Sequence, residues 1–307
     1  MEKEIISVVK YFSFFAYQPT LDEINTFVQV KISRDELKKE LKRLKYTPPQ
    51  YSIRRKISKR KFQNWRFRTY IKLLSLFPQI KLVGLSGSIA MMNASENDDI
   101  DLFIITEKNR LFTARLIALA LAQLLDLRRA RDSATQIFQK TNKTEKFAFA
   151  SSHRHKNKVC LNLFFDENNL KVPKFKQTEF VGHEVLQMKP IINKNYTYEK
   201  FLKANLWVYD IFPNSSWIMS KVKSQKSKIQ VKSQNYFKNF KLLTLTSNFL
   251  LLTFNFIESI LKNLQLTLIN RHRTTELISN FQLWFHPDDF EKKIKKLGRT
   301  TASACLP

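Results

Sequence analysis

The fold is decided between residues 80 and 105, where the chain reads IKLVGLSGSIAMMNASENDDIDLFII. The apolar run at residues 80–85 predicts a buried strand that ends in the turn Ser86-Gly87-Ser88. A short helix is predicted over residues 89–92, and a second strand over residues 100–105. Because the strands are separated by helical segments, the pattern favours a mixed α/β sheet.

Two further apolar segments extend this sheet along the chain. Residues 111–127 predict a helix that covers the sheet, residues 159–165 predict a third strand, and the polar residues 128–157 between them predict a loop or insertion. Residues 221–241 contain seven lysines, no acid and a repeated Val-Lys-Ser-Gln, which indicates a low-complexity insertion. Beyond residue 166 the chain is otherwise predicted to be helical, at residues 179–188, 198–212 and 242–269.

The first 57 residues have the pattern of a winged helix-turn-helix. Residues 4–16 carry apolar side chains at helical spacing, and two capping boxes predict helix starts at Thr20 and Ser33. A turn is predicted at residues 46–53, which include Pro48-Pro49. The predicted fold class is therefore α+β, with a winged helix-like domain at residues 1–57, a small mixed-sheet core at 58–170 and a helical C-terminal region at 171–307.

The chain is strongly basic, with 53 Lys and Arg against 26 Asp and Glu and a formal net charge of +27. Such a surface attracts polyanions. Between Lys38 and Lys72 there are fourteen Lys and Arg, one acid (Glu40) and three aromatic residues at Trp65, Phe67 and Tyr70, a mixture that suits RNA or DNA. A second interpretation stays open, in which the charge is compositional drift on solvated helices.

Cysteine content and hydropathy bear on the compartment. The two cysteines, Cys160 and Cys305, form neither a disulfide framework nor a metal motif, which predicts a reducing, cytoplasmic environment. The first residues lack the basic and apolar regions of a signal peptide. Charged residues such as Glu258 and Lys262 interrupt the apolar segment 242–269, so we expect a buried or amphipathic helix there. The alternative is a membrane-associated protein that is anchored through this segment.

Candidate chemistry lies at Gly87-Ser88 and Asp99-Ile100-Asp101, which are separated by ten residues. On a strand, residues i and i+2 share one face and lie about 6.5–7 Å apart, so Asp99 and Asp101 are placed to bind divalent cations. Mg²⁺ prefers oxygen ligands and is commonly completed by substrate phosphates. Gly87 lets the backbone approach a phosphate closely, and the helix start at Ser88 offers amide N–H groups. Metal and phosphate contacts would thus face one space, as nucleotidyl transfer requires.

This combination resembles the polymerase-beta-like nucleotidyltransferase superfamily, whose signature is a Gly-Ser turn, a gap near ten residues and an Asp-hydrophobic-Asp-hydrophobic strand. The resemblance in detail covers about residues 80–105. The whole layout is also similar to a group of uncharacterised bacterial nucleotidyltransferase-domain proteins with an N-terminal winged helix, in which segments like residues 160–163, 183–185 and 285–289 recur.

The resemblance implies a nucleotidyltransferase core that moves a nucleoside monophosphate from an NTP to an acceptor hydroxyl with Mg²⁺ or Mn²⁺. Asp99 and Asp101 would be the catalytic metal ligands, and Gly87 and Ser88 would bind the phosphates. RNA or DNA would bind through the basic N-terminal region. The alternative is a catalytically weak or inactive protein that binds nucleotide or nucleic acid through its winged helix.

The third carboxylate of the superfamily is the point where this sequence departs from the pattern. Active members usually carry it on a later strand, as a metal ligand or as the base for the acceptor hydroxyl. Asn162 stands at that place on the strand 159–165, and asparagine cannot accept a proton. Other acids that could replace it are Asp166 and Glu167 at the strand end, and Glu179 and Glu184 on a later helix.

Overall fold

The computed structural model describes residues 1–47, 53–128, 157–218, 247–271 and 276–285. Several predictions from the sequence lie outside these residues. They are the turn at Pro48-Pro49, most of the loop at 128–157, the low-complexity segment 221–241 and the segment that begins at His286.

A six-stranded mixed sheet forms the centre of the molecule, in the order β4-β1-β2-β3-β6-β5. Strands β2 and β3 are parallel, and all other neighbours are antiparallel. The mixed sheet and the first three strands confirm the sequence prediction, whereas β4, β5 and β6 were not predicted. The strands are β1 (Ile80–Leu85), β2 (Ile100–Thr106), β3 (Val159–Asp166), β4 (Lys189–Asn193), β5 (Leu277–Ile278) and β6 (Gln282–Trp284).

Eleven α-helices lie within the described residues, so the α+β class is confirmed at this coarse level. Two short 3-10 helices add to them, at Lys174–Lys176 and Pro213–Ser216. The α-helices are α1 (Glu2–Ser13), α2 (Leu21–Phe27), α3 (Arg34–Arg43), α4 (Ile53–Gln63), α5 (Trp65–Leu76), α6 (Gly87–Ala90), α7 (Leu111–Leu124), α8 (Glu179–Gln187), α9 (Thr197–Ala204), α10 (Trp207–Ile211) and α11 (Ser247–Asn270).

The expected single helix at 198–212 is wrong, because Asn205 divides it into α9 and α10. The buried side chain of Asn205 accepts a hydrogen bond from the backbone N–H of Val172 and donates to the carbonyl oxygens of Leu170 and Phe201. These bonds tie the helix break to the segment that follows β3. Asparagine competes with the helix backbone in this way, and it therefore favours breaks and caps.

Two apolar clusters cover the two faces of the sheet. One contains side chains from α1, α2 and α3, from β2 and β3, and from α8, α9 and α10; Phe12, Phe103 and Phe201 are among them. The other joins α5 and α7 to the opposite face through residues such as Tyr70 and Ile104. The N-terminal helices therefore pack on the same sheet face as α8, α9 and α10. Asp101 lies on this face too, because it alternates with Leu102 along β2 and so points to the same side as Phe103.

The predicted N-terminal helices are present, and both capping boxes are formed. Thr20 pairs with Glu23 and Ser33 with Glu36, each through reciprocal bonds between side chain and backbone. Residues 1–47 contain no strand, and α4 begins at Ile53, so the wing of a winged helix stays a prediction.

Helix α11 covers residues 247–269 of the apolar segment predicted at 242–269, and its inward side carries polar residues beside apolar ones such as Ile269. The Glu258 carboxylate accepts hydrogen bonds from the backbone N–H groups of Phe112 and Thr113 at 2.7 and 2.9 Å, which caps α7 from outside. Large apolar residues face outwards instead, among them Phe256, Leu264 and Leu268. No helix in the described part of the chain is long and apolar enough to cross a membrane.

Candidate active site

Gly87 and Asp101 lie against each other where the turn after β1 meets the start of β2. The antiparallel pairing of these strands places Leu85 opposite Leu102, and the N–H of Ser86 donates to the carbonyl oxygen of Asp101 at 3.0 Å. Gly87 has a φ of +59°, and a Cβ on it would lie 2.6 Å from Oδ2 of Asp101. Glycine is thus required both for its left-handed backbone and for the space beside the carboxylate.

Asn162 contacts the other oxygen of the same carboxylate. Parallel pairing of β2 and β3 places Cys160 opposite Asp101, and the Nδ2 of Asn162 donates to Oδ1 of Asp101 at 2.7 Å. The Oδ1 of Asn162 accepts a hydrogen bond from Sγ of Cys160 at 2.7 Å. Asn162, which the sequence pattern placed where a third carboxylate would be expected, therefore contacts Asp101 through its amide.

Asp166 and Glu167, two other acids that the sequence offered for that role, lie at the opposite end of the strand from Asn162. Asp166 pairs with Thr106, five residues along β2 from Asp101, which is about 17 Å at the strand rise. Its buried carboxylate accepts the backbone N–H groups of Asn109 and Asn168 at 2.6 and 2.8 Å, and burial raises its pKa above the ordinary value. Glu167 lies at this same far end and is paired with Lys200 at 2.6 Å.

Ser88 is joined to the site through Asp98, a residue that the sequence analysis did not single out. The hydroxyl of Ser88 donates to Oδ2 of Asp98 at 2.9 Å, and Asp98 also accepts the N–H and hydroxyl of Ser95. Burial works to raise the pKa of Asp98, but these hydrogen bonds and the nearby Lys61 charge hold it below the ordinary value. Asp98 therefore fixes the turn that leads into Asp99. Its bond to Ser88 links the Gly87-Ser88 turn to the segment that carries Asp99 and Asp101.

Lys61 anchors the same loop from the side of α4. It is only 2% exposed, and its Nζ donates to the carbonyl oxygens of Asp98 at 2.6 Å and Glu96 at 3.0 Å, and to Oδ1 of Asn157 at 3.3 Å. Burial lowers the pKa of Lys61, while the negative charges nearby, including that of Asp99, act in the opposite direction. Lys61 belongs to the basic run between Lys38 and Lys72, whose pattern suggests exposed side chains. It is buried instead, and it holds the loop of the candidate site in place.

The remaining sequence candidates lie elsewhere. Arg110 and Arg115 belong to the start of α7, which follows the far end of β2, and they bond Asn255 and Gln265 of α11. His183 is buried in the N-terminal core. On the same helix, Glu179 hydrogen-bonds to Gln29, and burial raises its pKa.

The donor set at the site is made of oxygen ligands. Asp99 and Asp101 are both half-buried. Across the described residues, no three His, Cys, Asp or Glu side chains are grouped so that they could hold a metal ion. Mg²⁺ is commonly bound by one or two carboxylates together with substrate phosphates and water. The oxygen atoms of Asp99 and Asp101 are of the kind that Mg²⁺ prefers.

The structure thus places Gly87 and Asn162 each against the carboxylate of Asp101. Ser88 is joined to this group through the loop that carries Asp98.

No protein-family model, no curated protein and no solved structure matches this chain. Inference about function therefore rests on the geometry of these residues.

Proposed function

We propose that the chain is a Mg²⁺-dependent nucleotidyltransferase, which also accepts Mn²⁺ and acts where the turn after β1 meets β2. Gly87 and Ser88 bind the phosphates of an NTP, and Asp99 and Asp101 bind the cation. The contact between Gly87 and Oδ2 of Asp101 carries the proposal, because it leaves no side chain between the phosphate-binding turn and the carboxylate. Transfer of a phosphoryl group requires that the groups that bind phosphate and the groups that bind the cation are held in one fixed space.

The reaction would move a nucleoside monophosphate to an acceptor hydroxyl. The acceptor oxygen forms a bond to the α-phosphorus, the bond from that phosphorus to the pyrophosphate oxygen breaks, and the acceptor loses its proton. A bound divalent cation supplies neutralisation of the triphosphate and pyrophosphate charge. In this scheme the backbone at Gly87 orients the phosphates, and Asn162 holds Oδ1 of Asp101 so that Oδ2 stays directed towards Gly87.

Asn162 limits the rate that this site can reach. Its amide cannot take the proton of the acceptor hydroxyl, so that proton passes to water or to the substrate. The absence of a general base typically costs about 10²–10⁴ in rate. We therefore propose a slow enzyme, or one that depends on a particular acceptor.

A second candidate function is favoured by the same bond between Asn162 and Asp101. An amide that occupies one carboxylate oxygen gives a site suited to nucleotide binding without turnover. In that case the chain is a catalytically weak or inactive protein that binds nucleotide or nucleic acid through its predicted winged helix.

The test is a screen of radiolabelled NTPs with Mg²⁺ or Mn²⁺ against total RNA, protein and small-molecule acceptors. Asp99→Asn with Asp101→Asn is the matched control, because the substitutions keep side-chain size and remove charge. We expect Mg²⁺-dependent NTP binding and slow transfer in the wild type, and neither in the control. NTP binding without any transfer supports the second candidate. Equal NTP affinity in wild type and control contradicts both.

A further inference from the structure

Helix α11 is attached to the sheet side of the molecule partly through polar contacts with α7. The Glu258 carboxylate caps the start of α7. The buried Gln265 donates to the carbonyl oxygen of Phe112 at 2.8 Å and accepts a hydrogen bond from Arg115 at 2.7 Å. Polar side chains of α11 are thus used on its inner side, whereas a surface helix usually turns its apolar stripe inwards.

The outer face of α11 is apolar and carries no charge. Its large exposed side chains are Phe256, Ile257, Ile260, Leu264 and Leu268, and Phe256 is 67% exposed. At 3.6 residues per turn these five fall within roughly 120° of the helix circumference, so they form one stripe. The other exposed residues between positions 255 and 270 are Asn, Ser and Thr.

The neighbouring helix α7 also has an uncharged outer side. Its exposed residues are Leu116, Ala120, Gln123 and Leu124. Its one charged residue, Arg115, is half-buried and bonded to Gln265. Single apolar residues on a protein surface need no explanation. Two adjoining helices that both expose an uncharged apolar side indicate an interaction surface.

The sequence on both sides of α11 is strongly basic. Between Asp210 and Glu276 it contains ten Lys and Arg and a single acid, Glu258, whose carboxylate is bonded to α7. Seven of these cations lie in residues 221–241, before the helix, and Arg271 and Arg273 follow it. Positive charge is therefore tethered to both ends of an uncharged apolar face.

This combination of charge and apolar surface selects among the molecules that could cover the face. A nucleic acid attracts the lysines but does not cover a stripe of aliphatic side chains. A second copy of the chain covers the stripe, but each copy carries a net charge of +27, and like charges repel. A bilayer with anionic lipids meets both requirements, because its acyl chains accept apolar side chains and its headgroups attract Lys and Arg.

We propose that the outer face of α11 binds the surface of a membrane that contains anionic lipids. The helix lies in the plane of the interface, with its apolar stripe among the outer parts of the acyl chains and the adjoining lysines and arginines at the headgroups. Residues Leu261 and Leu266 of α11 pack, like α7, on the sheet face opposite to the one that carries Asp101. Membrane binding is therefore independent of the proposed function.

The experiment measures co-sedimentation of the full chain with vesicles of phosphatidylcholine alone and of phosphatidylcholine mixed with phosphatidylserine. The test variant is Leu264→Gln with Leu268→Gln. The matched control is Leu76→Gln with Leu206→Gln, because these leucines are 57% exposed and the two on α11 are 58% exposed. Glutamine forms helices well, so the substitutions change the surface and preserve the helix.

We expect the wild type to bind the mixed vesicles more tightly than the phosphatidylcholine vesicles, and to bind them less tightly as salt is added. The test variant should lose about tenfold or more in affinity, because it no longer transfers two leucine side chains out of water. The control should keep the affinity of the wild type.

Every other outcome overturns the proposal. Equal losses in the two variants would mean that general surface hydrophobicity drives binding, and unchanged binding in the test variant would assign it to the basic segments alone. If the wild type ignores vesicles but self-associates in analytical ultracentrifugation, and the test variant does not, a second copy covers the face. If the test variant loses more free energy of unfolding than the control, the stripe is covered by the chain itself.

Discussion

The Nδ2 of Asn162 donates a hydrogen bond to Oδ1 of Asp101 across 2.7 Å, between two parallel strands. With an aspartate at position 162, two carboxylates would meet there, and a cation or a shared proton would be needed to relieve their repulsion. The amide removes that need, so the strands pair stably without a bound cation. The identity of residue 162 thus sets the charge beside Asp101.

The first prediction is that Asn162→Asp increases nucleotidyl transfer and makes stability depend on Mg²⁺. The new carboxylate can accept the acceptor's proton, which should raise the rate by up to about 10²–10⁴. It should also lower Tm without Mg²⁺ and recover it when Mg²⁺ and NTP are added. Label transfer and thermal unfolding, each with and without Mg²⁺, check the two effects.

Asp166→Asn is the control for that prediction. Asp166 lies at the far end of β3 and accepts two backbone N–H groups with its two oxygens, whereas asparagine offers one acceptor oxygen. We expect a lower free energy of unfolding and an unchanged transfer rate. If this variant loses transfer while its fold stays intact, Asp166 is a candidate catalytic acid. That result would contradict the prediction that an acid at position 162 accepts the proton.

The second prediction concerns the contact between Gly87 and Asp101. Gly87→Ala should destabilise the protein because a left-handed backbone costs an alanine about 1–2 kcal/mol, and because the new Cβ would press on Oδ2 of Asp101. In an Asp101→Ala background the second cost should vanish and the first should remain. Chemical denaturation of the four proteins in this cycle measures the difference. An equal cost of Gly87→Ala in both backgrounds would rule out the contact.

Much of the candidate site was predictable because its signals are local. The apolar runs of β1, β2 and β3 give strong strand patterns, and the positions of Gly87 and Asp101 follow from strand ends and from alternation along a strand. The register of β3 against β2 shifts at Asn162, so alternation alone does not place this residue. Strands β5 and β6 have only two and three residues, which is too short for any alternation to be read. Strand β6 joins the sheet by pairing with β3, and β5 joins it by pairing with β6.

The supports of the site were not predictable, because burial is decided by distant parts of the chain. Lys61 stands in a basic run and has no local sign of burial, and its partners are residues 96, 98 and 157. The orientation of α11 is a similar case. Its sequence indicates an amphipathic helix, but the bonds from Glu258 to the start of α7 could not be predicted from the helix alone.

The third prediction is that Lys61→Met destabilises the loop before Asp99. Methionine keeps the apolar stem and removes the amine, which leaves the carbonyl oxygens of Glu96 and Asp98 without this donor. A buried acceptor that loses its partner costs about 1–3 kcal/mol. We therefore expect a lower free energy of unfolding and weaker Mg²⁺-dependent NTP binding, measured by denaturation and by equilibrium titration.

Lys59→Met is the matched comparison for Lys61→Met, since Lys59 lies on the same helix and is exposed. Surface substitutions usually change stability by no more than about 0.5 kcal/mol. If the two variants lose the same stability, the buried position of Lys61 and its role in the loop are both wrong.

The fourth prediction concerns His183, which is fully buried between the rings of Tyr11 and Phe27, at centroid distances of 3.8 and 4.0 Å. No hydrogen-bond partner for its Nδ1 atom lies among the described residues, and burial lowers the pKa of His183 well below 6.5. Because the unfolded chain binds a proton near pH 6.5 and the folded chain does not, the free energy of unfolding should be highest above pH 6.5 and should fall as the pH is lowered from there.

His183→Phe tests this origin of the acid sensitivity, because phenylalanine preserves the stacked ring and cannot be protonated. The carboxylates whose pKa burial raises, Asp166 and Glu179, act with the opposite sign, since their folded forms bind protons more readily than the unfolded chain. The free energy of unfolding should therefore decline between pH 7 and pH 5.5 in the wild type, and should stay level or rise in the variant. Denaturant titrations at several pH values measure both curves. Parallel curves would assign the acid sensitivity to other groups and would show that the N-terminal helices do not depend on a neutral His183.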